Sequence, residues 1–361
     1  MVNVYDLSLE QLAERLVGLG EPSFRAKQIY QQLWRRNATY DEMSDVAPSL
    51  RERLTEELPL GVELLDERTA DPGATRKVLL KLGGRHVIET VLMGYRDRVT
   101  ACVSSQSGCA MGCTFCATGQ MGLLNNLTTG EIAAQVVWAR REVSKLPAST
   151  PRRLTNVVFM GMGEPLANER PVFTAIERLT DPDGMRLGSR HITVSTVGVV
   201  PGIKRLPDAN DQVRLAVSLH AADDDLRSEL VPANRLWPLQ ELEAAIAGWR
   251  ARTHHRPSIE WAMIDGVNDA DEQAAKLAPI AFRLHAHVNL IPLNPTPGWP
   301  MRPSSAKRIR GFVRVLEGAG VNVTVRDTRG REIEAACGQL RWEHDRRGGE
   351  VGREHAPAAA R

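Results

Sequence analysis

Three cysteines stand within eight positions of the sequence, and their spacing is the first feature that could support chemistry. They are Cys109, Cys113 and Cys116 in the stretch CAMGCTFC, which gives the pattern C-x-x-x-C-x-x-C. Zinc sites usually take four ligands, often as two C-x-x-C pairs. A redox dithiol needs only one C-x-x-C pair and leaves Cys109 without a role. Three thiolates can hold an iron–sulfur cluster with one iron open, so the pattern favours iron–sulfur and leaves zinc and a dithiol as alternatives.

Alternating strands and helices between residues 100 and 328 must position these thiols. The predicted strands are 100–105, 156–160, 191–196, 214–220, 259–264, 287–293 and 321–327. Helical stretches lie between most of them, and this alternation favours parallel strands covered by helices, as an open sheet or an incomplete barrel. Polar and glycine-rich groups stand where these strands end. Ligand sites of parallel α/β folds form at that edge, so we expect the functional site there.

Two further regions precede the cysteines. Residues 1–65 show helical periodicity broken by Gly, Pro and Asn, and residues 76–93 predict a hairpin that turns at Gly83-Gly84. We therefore expect an N-terminal helical domain over 1–65, a β-rich connector over 66–99 and a catalytic domain over 100–340. Residues 341–361 lack apolar periodicity, which predicts a disordered tail.

The composition excludes several classes of protein. Of 361 residues, 42% are hydrophobic and 25% are charged, which is typical of a globular protein. No apolar run reaches about 18 residues, so no membrane span is expected. The odd count of five cysteines fits a reducing cytosol better than a secreted disulfide framework. The net charge is +2, yet residues 302–331 carry eight basic and two acidic residues, either as a solvated helix face or as a phosphate-contacting patch.

The cysteine pattern, with Phe115 before its last cysteine, resembles that of the radical S-adenosylmethionine (SAM) superfamily. The resemblance implies an α/β fold with a partial (β/α)6 barrel and a 4Fe–4S cluster on Cys109, Cys113 and Cys116, whose open iron binds SAM. The stretches GMGEPLAN (161–168), TVSTVGVVPGI (193–203), SLHA (218–221) and NLIPLNPTPG (289–298) are similar to its SAM-binding segments. The implied SAM contacts are Gly163, Glu164, Ser195, Ser218, Leu219, His220 and Asn294. Taken singly, each is more often a strand-end residue satisfied by the backbone.

The other two cysteines extend the resemblance. The stretch DTRGREIEAACGQL (327–340), together with VSSQSGCAMGCTFCATG (103–119), is similar to the RlmN family of rRNA and tRNA adenine-2 methyltransferases. The resemblance implies that Cys337 carries a methyl group from a first SAM and that Glu89 accepts a proton. It also implies that Cys102 resolves the product through a transient disulfide with Cys337. If the resemblance is set aside, an isolated cysteine is expected to be a small buried hydrophobic residue, and Glu89 is expected to be a solvent-facing carboxylate on a strand.

The resemblance also implies partners. They are adenosine 2503 of 23S rRNA, adenosine 37 of tRNA and a flavodoxin-type electron donor, for a cytoplasmic monomer without membrane contact. The N-terminal helices, with Arg25, Lys27, Arg35 and Arg36, resemble the family's accessory RNA-binding domain, and residues 302–331 become a second RNA contact. Two alternatives remain: a paralogous family that methylates carbon 8 of the same adenosine, and a zinc-stabilised RNA-binding module.

Overall fold

Three helices begin the chain in the computed structural model, which describes residues 2–84, 86–294, 300–326 and 340–341. They are α1 (Leu9–Gly18), α2 (Phe24–Gln31) and α3 (Pro48–Glu57). Ser8 and Gln11 form a capping box that satisfies free amides at the start of α1. Trp34 is fully buried and its ring meets that of Tyr5 edge-on at 5.1 Å. Large aromatic rings therefore supply much of the core of this small helical unit.

An antiparallel meander follows the helices. Its strands are β1 (Val62–Ala70), β2 (Thr75–Leu82), β3 (His86–Gly94) and β4 (Val99–Cys102). The predicted hairpin is confirmed, with Gly83 and Gly84 at φ of 55° and 74° in its turn. The helical stretch predicted for 1–65 ends earlier, because α3 stops at Glu57 and β1 begins at Val62. Strand β1 was missed because VELLDERTA is rich in charge and only partly buried.

A short ribbon brackets the cysteines. Strands β5 (Gln106–Gly108) and β6 (Leu123–Asn126) pair antiparallel in a separate two-stranded sheet, with the short helix α4 (Ala117–Gln120) between them. Helix α5 (Thr129–Glu142) then begins with a capping box formed by Thr128 and Glu131. The ribbon was not predicted, since strands of three or four residues are too short to show a period of two.

The remaining chain alternates strands and helices, which confirms the predicted α/β fold. The elements are β7 (Asn156–Phe159), α6 (Glu169–Thr180), β8 (Ile192–Thr196), α7 (Val200–Ala209), β9 (Arg214–Ser218), α8 (Asp224–Leu230), α9 (Leu239–Thr253), β10 (Ser258–Met263), α10 (Asp271–Arg283), β11 (His287–Pro292), α11 (Ala306–Gly318) and β12 (Asn322–Val325). Helix α6 buries Val172, Ala175, Ile176 and Leu179, which share one face. Among the described helices, none combines the length and apolarity needed to cross a membrane.

Strands β4 and β7 to β12 lie side by side in chain order and pair in parallel. The antiparallel strands β1 to β3 extend the same sheet beyond β4. Because parallel neighbours run in one direction, their carboxyl ends share an edge of the sheet. The cysteine loop follows β4 and the GMGEPLAN stretch follows β7, so both begin at that edge.

Candidate active site

The cysteine loop, residues 109–116, is held as a fixed turn. The Cys109 amide donates to the Gly122 carbonyl at 2.9 Å, and the Cys116 amide donates to the Cys113 carbonyl at 3.1 Å. Gly108 precedes the loop with φ of 78°, and a Cβ there would lie 1.9 Å from the Gly122 oxygen. This position therefore requires glycine, because any side chain would displace the backbone that carries Cys109.

The three thiols form one electrostatic group. Burial raises the pKa of the Cys109 thiol to about 12, and charge on Glu164 and Cys116 adds to the rise. Burial, with charge on Cys116, Cys109 and Glu164, raises the pKa of Cys113 well above its usual value. Thiols of this kind become thiolates when a metal cation binds them. The donor set therefore fits a cationic metal group, whose charge would offset the cost of deprotonating buried thiols.

A 4Fe–4S cluster suits this donor set. Within the described ranges, no three His, Cys, Asp or Glu side chains converge on one ion position. In a cluster each thiolate binds a different iron, so three thiols around a turn do not have to share a point. The buried thiols and the glycine-turned loop are compatible with a cluster on which one iron has no protein ligand.

Glu164 lies next to the thiols in the turn after β7. Its amide donates to Gln106 Oε1 at 2.8 Å, and its carboxylate accepts the amides of Leu166 and Val197 at 3.0 and 2.9 Å. Gly163 has φ of 98°, and a Cβ there would lie 2.5 Å from the Gln106 Cβ. Burial raises the pKa of Glu164 to about 7 in spite of the two amide bonds. A cationic ligand at this carboxylate would offset the cost of burying its charge.

A cavity of about 210 Å³ opens toward the carboxyl edge of β7 to β12. Its walls include five of the residues expected to contact SAM: Gly163, Glu164, Ser195, Ser218 and His220. Two others stand apart, since Leu219 is buried in the hydrophobic core and Asn294, after β11, is half-buried outside the walls. The expected residues in these walls thus come from the ends of three separate strands, β7, β8 and β9.

Several wall residues were not predicted from the sequence. They are Phe159, Met160, Gly161, Thr196, Val197, Glu260, Ile291 and Arg326. Gly161, Thr196, Val197 and Ile291 lie in the segments similar to SAM-binding segments, although none was singled out there. Glu260 lies outside those segments, and its signal was a carboxylate inside the otherwise apolar segment IEWAMI.

His220 joins the cysteine loop to the end of β9. Its Nδ1 accepts the Ala262 amide at 2.9 Å, and its ring meets Phe115 edge-on with centroids 4.6 Å apart. Burial, with a contribution from the Arg227 charge, lowers the pKa of His220 to about 3. The imidazole is therefore neutral at physiological pH, and because Nδ1 accepts, Nε2 carries the proton.

Arg227 on α8 is a buried cation that sequence analysis missed. Its guanidinium donates to the carbonyl oxygens of Leu219 at 3.1 Å and Val197 at 2.5 Å, and to Asn234 Oδ1 at 2.7 Å. Burial lowers the pKa of Arg227 to about 10, so it remains charged. It ties together the segments after β8 and β9, both of which contribute to the cavity.

Cys102 and Glu89 lie on the sheet face that also carries Met160 of the cavity wall. Cys102 pairs with Val91 on one side and Val158 on the other, and it packs with Met160. Glu89 lies two residues before Val91, so its side chain points to the same face. Its carboxylate is fully buried and meets Lys77 Nζ at 3.0 Å. The solvent-facing interpretation of Glu89 is therefore wrong.

The C-terminal segment returns to Glu89. The Arg341 amide donates to Glu89 Oε1 at 2.8 Å, and the Arg341 guanidinium donates to the Val87 carbonyl and to Ser107 Oγ. The four described cysteines form no disulfide with one another. Arg341 does not belong to the tail predicted from residue 341 onward, because it is buried and hydrogen-bonded. Cys337 lies outside the described residues, as do Arg329, Arg331 and residues 342–361.

The basic residues expected to bind RNA divide into two groups. In the N-terminal helices, Lys27 and Arg35 approach Asp183 at 3.9 and 3.6 Å, and Arg25 approaches Glu21 at 3.8 Å. Part of this charge is thus balanced within the chain. On α11, the basic side chains are exposed to solvent: Lys307, Arg308, Arg310 and Arg314.

Comparison with known proteins defines the class. Residues 103–278 match the radical SAM superfamily, and residues 2–59 match the ribosomal RNA large subunit methyltransferase N-terminal domain. A radical SAM methyltransferase from Sphaerobacter thermophilus superposes with a TM-score of 0.90 at 48% identity, over 94% of this chain and 99% of that one. The fold is that of a radical SAM enzyme.

Proteins of similar sequence identify the family within the radical SAM enzymes. Probable dual-specificity RNA methyltransferases RlmN from Chloroflexus aurantiacus and Thermobifida fusca are 48% and 50% identical, covering 94% and 93% of this chain and 93% of each relative. The relative from Salinispora arenicola is 51% identical, over 93% of this chain and 90% of its own length. The chain belongs to the RlmN family of radical SAM RNA methyltransferases.

Proposed function

We propose that this protein methylates carbon 2 of adenosine in RNA, at position 2503 of 23S rRNA and position 37 of tRNAs. The observation that supports this most is a cavity lined by the Glu164 turn and the strand-end serines, with the cysteine loop beside it. The loop is tied to the cavity walls by the charge of Glu164, which acts on Cys109, and by the contact of Phe115 with His220. In this proposal Cys109, Cys113 and Cys116 hold a 4Fe–4S cluster. When bound, the cluster supplies an electron to SAM and so provides the radical chemistry of the superfamily.

Glu164 and Gly163 would receive the amino group of SAM. The carboxylate is buried and oriented by two backbone amides, and burial raises its pKa, so an ammonium ligand would stabilise its charged form. Ser195 and Ser218 offer hydroxyl groups to the ribose, and neutral His220 offers an Nε2–H donor beside an apolar wall. Leu219 and Asn294 would complete the site from positions next to these walls.

Cys337 would receive the methyl group of a first SAM, and a second SAM would be consumed in moving that carbon to adenine. Four peptide units join Cys337 to Arg341, so their Cα atoms lie at most about 14 Å apart. Arg341 contacts Glu89, and Glu89 shares a sheet face with Cys102. This arrangement supports Glu89 as the proton acceptor and Cys102 as the thiol that attacks Cys337 sulfur. That attack would form the S–S bond and break the bond from Cys337 sulfur to the carbon now joined to adenine, which frees the methylated RNA. The resulting disulfide must be reduced before another turnover.

RNA binding would involve the N-terminal helical domain, residues 1–65, and the basic face of α11. A base inside a stack cannot enter a cavity of this size, so the target adenosine must be unstacked or flipped out. A flavodoxin-type protein would deliver electrons to a cytoplasmic, monomeric enzyme.

The test is mass mapping of RNA treated with iron–sulfur-loaded protein, SAM and reductant. We expect 2-methyladenosine at the two named positions in a 23S rRNA fragment and in tRNA. Methylation at carbon 8, or no methylation by protein that cleaves SAM, would contradict the proposal. Colourless protein that carries zinc and binds RNA would instead support the RNA-binding module.

Two cysteine variants separate the roles of the thiols. Cys113→Ala should lose iron and all activity, because one ligand of the cluster is gone. Cys102→Ala should keep its iron but accumulate a covalent protein–RNA adduct, because release requires the second thiol. Normal turnover by Cys102→Ala would exclude its resolving role.

A further inference from the structure

A row of polar side chains crosses the sheet at the cavity and extends away from it. Ser218 on β9 pairs with Glu260 on β10, Glu260 with Asn289 on β11, and Asn289 with Thr324 on β12. Because directly paired residues of parallel strands project to the same face, the four side chains form a single line. Two of them, Ser218 and Glu260, line the cavity.

Hydrogen bonds run along this row in one direction. Thr324 Oγ1 donates to Asn289 Oδ1 at 2.7 Å, and Asn289 Nδ2 donates to Glu260 Oε1 at 2.8 Å. The first bond fixes the orientation of the Asn289 amide, so that its nitrogen must face Glu260. The chain ends on a carboxylate, which can only accept hydrogen bonds when ionised.

Glu260 is positioned to accept a hydrogen bond from a ligand in the cavity. The residue is only 5% exposed, and what it exposes faces the cavity. Asn289 occupies Oε1, which leaves Oε2 for a donor in the cavity. Burial raises the pKa of Glu260, and the hydrogen bond from Asn289 and the attraction of Arg326, another wall residue, work against that rise. Burying a carboxylate is costly, so a structural role alone would be served more cheaply by a neutral side chain.

We propose that Glu260, oriented by Asn289, is a specificity residue that accepts a hydrogen bond from a hydroxyl or amino group of a nucleoside bound in this cavity. The proposal rests on the proposed function, which brings two adenosines to the site: that of SAM and that of the target RNA. Both present ribose hydroxyls and an exocyclic amine, the donors that a carboxylate beside Ser195 and Ser218 can bind. Glu260 thereby favours adenosine over ligands that lack a donor at this point.

The test compares Glu260→Gln with the unmodified protein, both loaded with the iron–sulfur cluster. Equilibrium dialysis gives the dissociation constant of SAM, and initial rates at saturating SAM give KM for an RNA hairpin that contains the target adenosine. Loss of a hydrogen bond to a charged group should weaken binding by about 10- to 100-fold. Weakened SAM binding alone assigns Glu260 to SAM, and a raised KM for RNA alone assigns it to the target base.

Asn289→Leu tests the proposal a second way, because it leaves Glu260 in place but removes its orienting donor. We expect the same constant to rise by a smaller factor, about 3- to 10-fold. If Glu260→Gln fails to fold or to hold iron, Asn289→Leu decides the matter. The proposal is overturned if both constants stay within about twofold of the unmodified protein in the variants that fold.

Glu131→Gln is the matched control, since Glu131 is also a buried glutamate but caps α5 away from the cavity. Glutamine preserves a capping box, so this variant should keep both constants unchanged. The methyltransferase function and the role of Glu260 can be disproved independently of each other. Unmodified protein that binds SAM through Glu260 but leaves RNA unmethylated would refute the methyltransferase function and retain the role of Glu260.

Discussion

At the scale of single residues, the turn after β7 shows how backbone geometry limits the site. Gly163 adopts φ of 98° and lies against Gln106, whose side chain in turn accepts the Glu164 amide. A side chain at this point would push apart the two segments that carry Glu164 and the cysteines. The glycine is therefore required by a close approach as well as by its dihedral angle.

Gly163→Ala should destabilise the protein by about 3 kcal/mol, since it combines backbone strain with a clash 2.5 Å from the Gln106 Cβ. Urea denaturation measures the free energy of unfolding. Gly266→Ala is the control, because Gly266 has φ of 67° but a Cβ added to it would meet nothing within 4 Å. It isolates strain and should cost about 1 kcal/mol. Equal losses in the two variants would show that the contact with Gln106 is unimportant.

At the scale of elements, the meander carries an ion pair inside the protein. Lys77 on β2 and Glu89 on β3 meet at 3.0 Å with both side chains fully buried. Leu79 lies opposite Glu89 in the antiparallel register, so the pair spans the two strands diagonally. Such a pair contributes little net stability, yet loss of one partner leaves an uncompensated buried charge. Lys77 therefore fixes where Glu89 can sit relative to Cys102.

Lys77→Met should lower the free energy of unfolding by about 3–5 kcal/mol, because the buried Glu89 carboxylate then loses the ammonium that lies 3.0 Å from it. The double variant Lys77→Met/Glu89→Gln should recover most of that loss, since both charges are then absent and glutamine can still accept the Arg341 amide. Chemical denaturation of the two variants gives the comparison.

The exposed pair Lys81–Glu63 provides the control for this prediction. It joins β2 to β1 at 3.2 Å with 35% and 60% of the side chains exposed. Lys81→Met should change stability by less than about 1 kcal/mol. If the double variant is no more stable than Lys77→Met, the loss of stability comes from the packing of the lysine side chain rather than from the unpaired charge.

At the scale of the whole molecule, α5 attaches the N-terminal helices to the sheet. A further helical turn, Gln32–Arg36, follows α2. Arg140 donates to the carbonyl oxygens of Trp34 and Arg35 near the end of this turn, at 2.8 and 3.2 Å. Arg141 binds Glu42 through two parallel bonds of 2.7 and 2.8 Å. Cationic side chains thus satisfy the carbonyls of a helix end and join the two units.

Glu42→Gln should reduce stability at pH 7 by about 0.5–1 kcal/mol, because the pair is half-exposed and screened. Arg141 lowers the pKa of Glu42 to about 2. Because the pKa of Glu42 is lower in the folded chain than its value of about 4.5 in the unfolded chain, its charge stabilises the fold at pH values above 4.5. This stabilisation is lost as the pH falls from 4.5 toward 2. The difference between Glu42→Gln and the unmodified protein should therefore shrink from pH 7 to about pH 3, as measured by urea denaturation.

Glutamine keeps the capping bond to the Thr39 amide, so the substitution isolates the charge. Asp97→Asn, in the exposed pair with Arg98, should show neither effect. A difference that grows as the pH falls would contradict the assigned role of the Arg141–Glu42 pair.

Much of this protein could be predicted from local patterns. The seven parallel strands have nearly their expected bounds, because alternating apolar runs and helical periods are properties of short segments. The spacing of Cys109, Cys113 and Cys116 indicated a metal–sulfur site, and strand-end polar groups indicated its edge. The charged strand β1 and the short ribbon of β5 and β6 escaped prediction because neither shows a clear period.

The sequence by itself determined the chemistry that this protein can perform and the alternation that makes a parallel sheet, since both reside in residue types and short-range spacing. Only the tertiary structure decided that Lys77 pairs with Glu89, that Arg227 hydrogen-bonds the segments after β8 and β9, and that Asn289 orients Glu260. These contacts join residues 12 to 30 positions apart, on neighbouring strands or between helix α8 and the loop after β8. They depend on strand register and burial, which are set by the packing of the whole chain.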